Sequence, residues 1–113
     1  MTKRIKKVDE LIKRELSQLF LREIEFPEGV IVTITRVEAS SNLIQAKAYI
    51  SILPEAKTRR VLAILNKIIY GIQKKINKKL RMRPVPKIIF VAEKKTEEAA
   101  RIEEILEELK KEE

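Results

Sequence analysis

Six cationic side chains occur within the ten residues from position 74 to position 83. Apolar residues at positions 72, 76 and 80 mark the buried side of a helix, and this repeat predicts that Lys74, Lys78 and Arg81 share an exposed stripe. Like charges at such spacings destabilise an isolated helix, and no acidic residue compensates them there. The pattern favours a surface that binds an anion over one that is only solvated. The full group is Lys74, Lys75, Lys78, Lys79, Arg81 and Arg83.

A second basic group lies at the N-terminus. Its members are Lys3, Arg4, Lys6 and Lys7. This signal is weaker, because Asp9 and Glu10 follow directly and mix the charge of that segment. The whole chain has 25 basic and 17 acidic residues, and thirteen of the basic ones lie between positions 54 and 95, where two acidic ones occur. Such a segment predicts a polyanionic partner, most often a phosphate backbone, with an anionic membrane surface as the rival interpretation.

Residue types that perform catalysis are scarce in this sequence. The chain has no cysteine and no histidine, which excludes disulfides, thiolate nucleophiles and imidazole acid–base chemistry, and argues against a zinc site. Its two glycines do not form a phosphate-binding loop, and its serines have no histidine to activate them. We therefore predict a binding protein without a cofactor or metal, not an enzyme. With no apolar segment long enough to cross a membrane and no signal peptide pattern, a cytoplasmic location is expected.

The elements that must position the basic residues follow from the periodicity of the chain. Apolar spacing predicts a helix over 4–22, strands over 30–37 and 43–53 joined by a hairpin at Ser40-Ser41-Asn42, a helix from Pro54 to position 80, and a strand over 87–93. Gly71, in the middle of the long helix, indicates either a kink that divides it or close packing against the sheet. The sequence predicts one α+β domain over 1–95, followed by an acidic amphipathic helix over 96–113 that packs on it.

The predicted order αββααβ is the type II KH topology, an RNA-binding fold. A usual KH domain clamps nucleotides with a GXXG loop between its two central helices, whereas here Ile69-Tyr70-Gly71 occupies that junction. The chain resembles the ribosome-binding factor A family, in which a helix–kink–helix replaces that loop. The resemblance is carried by "RIKKVDELIKREL" from position 4, "VIVTITRVEAS" from 30, "NLIQAKAYISIL" from 42 and "YGIQKKINKKLRMRPVPKIIF" from 70. Ile69 in place of the usual alanine and Lys74 in place of an arginine depart from the family pattern.

The resemblance implies a KH-like domain that binds 16S rRNA on the free small ribosomal subunit (30S). It further implies a role in subunit assembly, in rRNA processing near the 5′ region and in cold adaptation, with a monomer as the free form. Two alternatives remain open from the residues: a peripheral module on anionic membrane or a protein scaffold, and a binder of duplex DNA. Tyr49 and Tyr70 either stack on unpaired bases or cap the edge of the core. The acidic last helix either keeps the domain soluble or steers RNA away from one face.

Overall fold

A computed structural model describes residues 2–93, with side chains from Arg4 onward. The elements are α1 (Thr2–Arg22), β1 (Ile31–Ala39), β2 (Gln45–Leu53), a 3₁₀ turn (Glu55–Lys57), α2 (Thr58–Lys79) and β3 (Lys87–Ala92). This is the predicted α+β architecture with the predicted order of strands. The expected helix over 96–113 and its packing lie outside the described residues.

The three strands form one sheet in the order β1-β2-β3. β1 and β2 are antiparallel, as the predicted hairpin requires, whereas β2 and β3 are parallel. Parallel neighbours need a crossover connection, and α2 provides it. Both helices cover the same face of the sheet, with α1 over β1 and α2 over β3. The outer side of α2 therefore points away from the sheet.

The core lies between the sheet and the two helices. Alternation along β2 buries Ala46, Ala48, Ile50 and Ile52, as the period of two predicts. α1 contributes Ile12 and Leu16, and α2 contributes four residues of one stripe. That stripe is Val61, Leu65, Ile72 and Ile76. Because these positions recur with the helical period, α2 has one side committed to the core and one side left for solvent.

α2 continues through Gly71 as one helical element, and the predicted kink at this glycine stays a prediction. Every residue from Thr58 to Lys79 is helical, and a Cβ placed on Gly71 would meet nothing within 4 Å. The alternative of close packing against the sheet at Gly71 is therefore wrong. A glycine inside a helix costs about 1 kcal/mol relative to alanine. The buried residues before and after Gly71 nevertheless lie on the same side of α2. Packing of that stripe outweighs the cost and keeps the helix in one piece.

The predicted hairpin turn joins β1 and β2. Its residue with positive φ is Leu43, at 58°. The Asn42 side chain organises the turn, because its Oδ1 accepts hydrogen bonds from Ser40 Oγ at 2.6 Å and from the Ile44 backbone N–H at 3.1 Å. Asparagine commonly bonds a backbone group two residues ahead in this way, and the turn then forces its neighbour into the left-handed region.

A polar contact attaches α1 to the outer edge of the sheet. Asp9 Oδ1 accepts a hydrogen bond of 2.7 Å from the backbone N–H of Ala39, at the end of β1. Partial burial raises the pKa of the Asp9 carboxyl above its ordinary value, with nearby Glu38 and Glu10 adding to the effect and the Ala39 hydrogen bond opposing it. The contact fixes where α1 crosses β1.

A second polar network lies on the sheet face away from the helices. The register of β1 shifts between Ile34 and Arg36, as in a β-bulge. There Thr35 Oγ1 and Arg36 Nε each donate a hydrogen bond of 2.9 Å to Glu93 Oε2, next to the end of β3. The bond to Glu93 raises the pKa of Arg36, and the guanidinium lies 3.9 Å from the centroid of the Tyr49 ring. One face of Tyr49 is thus covered, which favours a structural role for this ring.

Candidate nucleic-acid interface

A row of exposed cations runs along the outer side of α2. It consists of Arg60, Lys67, Lys74 and Lys78, which we call the α2 ridge. Spacings of seven, seven and four residues keep these positions on one side of a helix. At 1.5 Å of rise per residue the ridge is about 27 Å long. The opposite side of α2 is buried in the core, and this packing fixes the position of the helix that carries the cations.

The α2 ridge has no acidic neighbours on its own helix. No aspartate or glutamate occurs between positions 56 and 92. Among the described residues, none of the four ridge cations takes part in an ion pair or a side-chain hydrogen bond. Their charges repel each other, and phosphate oxygens would relieve that repulsion. The surface is therefore chemically suited to a polyanion.

Lys74 and Lys78 lie on the α2 ridge as predicted, whereas Lys75 is turned towards α1. Lys75 Nζ lies 2.9 Å from Glu23 Oε2, just beyond the end of α1, in a half-exposed ion pair. Lys75, Lys78 and Lys79 all line the shallow groove between the C-terminal ends of the two helices. Inspection of α2 alone shows no acid near Lys75, because its partner comes from another element.

Arg81 and Arg83 lie beyond the helix, which corrects the predicted stripe. α2 ends at Lys79, and Leu80 is already extended, so helical spacing does not place Arg81 beside Lys78. Arg83 Nη1 donates to the backbone carbonyls of Asn77 and Leu80, both at 3.2 Å, and of Met82 at 2.7 Å. Carbonyls at a helix end lack intrahelical partners, and an arginine satisfies them well. Arg83 thus closes the end of α2 while remaining exposed.

Gln73 fixes the segment that carries Arg81 and Arg83. Its Nε2 donates to the carbonyl of Pro86 at 3.1 Å, and its Oε1 accepts from the backbone N–H of Ile88 at 2.8 Å. Both contacts join the middle of α2 to the start of β3. The chain between Lys79 and β3 is consequently attached at both ends, and the cations on it keep a defined position relative to the α2 ridge.

The N-terminal basic group lies far from the C-terminal end of the α2 ridge. Arg4, Lys6 and Lys7 are exposed on α1, and the side chain of Lys3 lies outside the described residues. The Glu23–Lys75 pair places the C-terminal ends of both helices together. Position 7 lies about 24 Å from position 23 along α1. The structure therefore does not bring the two predicted basic groups into one site.

Arg60 and Lys67 complete the α2 ridge and are absent from both predicted basic groups. The signal that identifies them is the spacing of seven residues back from Lys74. The spacing is informative only if α2 is one continuous helix. If the helix were divided at Gly71, its two halves would point in different directions, and equal spacing would not place these residues on one side. Tyr70, 80% exposed, lies between the ridge cations.

The described residues offer no competing chemistry. Within residues 2–93, no group of three acidic side chains is arranged to hold a metal ion. Neither α1 nor α2 is long and apolar enough to cross a bilayer. Within the same residues, the α2 ridge is an exposed row of cations without ion-pair partners.

Comparison with known proteins identifies the family. The sequence model described as ribosome-binding factor A matches residues 4–106. The chain belongs to the ribosome-binding factor A family. It is 35% identical over 104 residues to ribosome-binding factor A of Nitrosococcus oceani, covering 91% of this chain and 82% of that one. The predicted family membership is confirmed.

Solved structures of the family share the fold. The crystal structure of ribosome-binding factor A from Thermus thermophilus superimposes with a TM-score of 0.70 at 18% identity, covering 81% of this chain and 98% of that chain. A homology model of the Thermus thermophilus factor, fitted into a cryo-EM map of a 30S complex, gives a TM-score of 0.62 at 20% identity. It covers 74% of this chain and 88% of that chain. Both likenesses support the predicted KH-like α+β fold.

Proposed function

We propose that this protein is a ribosome-binding factor that binds 16S rRNA on the free small ribosomal subunit during its assembly and maturation. Membership of the family supports the proposal, because its relatives carry the name ribosome-binding factor A. The fitted Thermus thermophilus structure belongs to a complex with the 30S particle. The role includes rRNA processing and cold adaptation, as the family resemblance implies.

The α2 ridge is the observation on which the mechanism rests. Each exposed cation that contacts a phosphate releases counterions, so affinity arises without base recognition. Lys74 and Lys78 act together with Arg60 and Lys67, and Arg81 and Arg83 extend the contact beyond the helix. Lys75 and Lys79 flank the ridge. The N-terminal group provides a second, separate contact to the particle.

The mechanism is positioning of rRNA without covalent chemistry. A chain without histidine or cysteine lacks the usual acid–base and nucleophilic groups, which supports a role in binding rather than catalysis. Residues 1–95 form the RNA-binding domain in this proposal, and residues 96–113 form an acidic helix packed against it. The protein acts as a monomer in the cytoplasm, where small subunits are assembled.

The test is sedimentation with purified small subunits over a range of salt concentrations. The ridge variant carries Lys67→Gln, Lys74→Gln and Lys78→Gln. A matched variant with Lys13→Gln, Lys47→Gln and Lys87→Gln loses the same charge elsewhere on the domain. Since each phosphate contact contributes about 0.7–0.9 to the slope of log affinity against log salt, the ridge variant should lower that slope by about two to three.

The matched variant is expected to leave the slope nearly unchanged. Equal losses in both variants would show that only net charge matters and would contradict the assignment of the α2 ridge. A wild-type protein that floats with anionic vesicles and does not sediment with subunits would overturn the ribosomal function in favour of the membrane alternative.

A further inference from the structure

The outer side of α1 carries exposed leucines in line with cations. Spacings of three, four, three and seven residues keep five positions on one side of this helix: Arg4, Lys7, Leu11, Arg14 and Leu21. We call this side the α1 stripe. All five residues are exposed, Leu11 to 47% and Leu21 to 87%. A row that combines cations with leucines suits a partner that is both acidic and apolar.

The cations of the α1 stripe have no anionic partner within residues 4–93. No ion pair or side-chain hydrogen bond of these residues includes them. A cavity beside the stripe is bordered by Lys6, Lys7, Glu10, Leu11 and Arg14. Glu10 is the one acid among these five residues, so positive charge dominates the border. The α1 stripe therefore offers both unpaired charge and room for apolar side chains.

The C-terminal segment of the chain has the complementary chemistry. Positions 96–113 contain eight acidic and three basic residues. Ile102, Ile105 and Leu109 recur at helical spacing, so the sequence predicts an amphipathic helix. Three acidic residues lie three or seven positions from Ile105 and therefore on the same side as it: Glu98, Glu108 and Glu112. One side of this predicted helix is thus both acidic and apolar, as the α1 stripe requires.

Position and length also match. Glu93 follows β3, and its Oε2 lies 2.9 Å from Arg36 Nε on β1. Arg36 in turn borders a groove together with Lys6 of α1. Two strand spacings, about 10 Å, separate β3 from β1, and residues 94–96 can span about the same distance. The α1 stripe and a helix over 97–113 are each about 26 Å long, so the segment can reach the stripe and cover it.

Two other surfaces fit this segment less well. The outer sheet face near the end of β3 carries the carboxylates of Glu38 and Glu93, which repel an acidic segment. The α2 ridge is cationic, but none of the exposed leucines among the described residues lies on α2. The α1 stripe is the surface that matches both the charge and the apolar side of the segment.

We propose that residues 96–113 bind the α1 stripe as an amphipathic helix and compete there with RNA. In the free protein, the acidic side chains of the segment pair with the three cations of the stripe, and its apolar side chains cover Leu11 and Leu21. An rRNA that contacts the N-terminal basic group has to displace the segment. The competition rests on the proposed function, whereas the docking does not.

Paramagnetic broadening in NMR spectra of the full chain tests the docking. The chain has no cysteine, so Glu107→Cys provides a single site for a nitroxide, on the side of the predicted helix away from Ile105. We expect the amide signals of the α1 stripe to lose most of their intensity, and those of the α2 ridge and the outer sheet face to keep theirs. Stronger broadening on either of those two surfaces, or weak broadening everywhere, would overturn the proposal. Equal broadening in a mixture of isotope-labelled chains and nitroxide-carrying chains would show a contact between two copies and would also overturn it.

Matched variants connect the docking to RNA binding. Leu11→Gln should abolish the broadening of the α1 stripe, whereas Leu53→Gln, at a leucine of β2 that is 55% exposed, should leave it unchanged. Ile105→Gln should release the segment without changing net charge, which frees the three stripe cations for phosphate.

With purified small subunits, the slope of log affinity against log salt should then steepen by about two to three in the Ile105→Gln variant, at about 0.7–0.9 per phosphate contact. An unchanged slope in a variant whose segment is released would overturn the competition with RNA. A wild-type chain that does not sediment with subunits would refute the proposed function, while the NMR measurement would still decide the docking.

Discussion

Gly71→Ala should stabilise the protein, although the same change would disrupt a kinked helix. Gly71 is exposed within α2, and an added Cβ would meet nothing within 4 Å. The substitution therefore causes no clash and needs no backbone movement. What remains is the difference in helix propensity, because alanine loses less conformational entropy on folding than glycine does.

The expected size of the effect follows from these two terms. Steric cost is absent, and the propensity gain for an exposed helix interior is about 0.5–1 kcal/mol. For a domain of about 100 residues, each kcal/mol shifts Tm by about 4–8 °C, so we expect an increase of roughly 2–8 °C. Binding to small subunits should change less than about twofold, because the α2 ridge already lies on a continuous helix.

Urea and thermal denaturation followed by circular dichroism measure this effect directly. Gly29→Ala is the matched control, because an added Cβ there also meets nothing within 4 Å while φ is +79°. An alanine in that left-handed region costs about 1–2 kcal/mol, so the same chemical change should destabilise the protein at position 29. If Gly71→Ala lowered the free energy of unfolding or abolished subunit binding, the result would show that α2 bends at Gly71 in a way that alanine does not allow.

Three further perturbations test the packing and the charges. Ile76→Ala removes a fully buried side chain of α2 and should cost about 2–5 kcal/mol in urea denaturation, whereas Ile68→Ala, partly exposed on the same helix, should cost less than about 1 kcal/mol. Glu23→Gln should change stability by less than about 1 kcal/mol, but it releases Lys75 and should steepen the salt dependence of RNA binding by about 0.7–0.9; an unchanged slope would show that Lys75 does not reach phosphate. Because burial raises the pKa of Asp9, the folded state holds this proton more tightly, and the stability from this group declines as pH rises above 3.8. Asp9→Asn keeps an acceptor for the backbone N–H of Ala39 and removes this pH dependence. The urea midpoint of the variant minus that of wild type should therefore increase as pH rises above 3.8, and a difference that decreases would contradict the raised pKa of Asp9.

Periodicity alone predicts most of the fold. The alternating pattern from position 43 onward locates β2 to within two residues of its observed start, because burial on one face forces a period of two. The 3.6-residue pattern likewise locates α1, which ends at Arg22 as expected. These elements are governed by local repetition of apolar residues, and a single sequence contains that information.

Contacts between distant elements are what the sequence does not reveal. The pairing of Lys75 with Glu23 depends on how α1 packs beside α2, and the hydrogen bonds of Arg83 depend on where α2 ends. Gly71 is a second example of this limit. Its low helix propensity is a local signal against a helix, but packing of the buried stripe of α2 overrides it. The sequence therefore predicts the exposed positions of Lys74 and Lys78 on α2 but does not include Arg60 and Lys67 on the same side, and RNA binding by all four residues stays a prediction.

One helix carries the core stripe and the α2 ridge on opposite sides, and this arrangement separates two kinds of evolutionary change. Substitutions on the ridge leave the core contacts intact and usually alter stability by less than about 0.5 kcal/mol. Each gain or loss of a phosphate contact nevertheless changes the salt slope by about 0.7–0.9. If the α2 ridge binds RNA as proposed, lineages that live at different intracellular salt concentrations can adjust their affinity for RNA one lysine at a time, without first acquiring compensating changes in the interior.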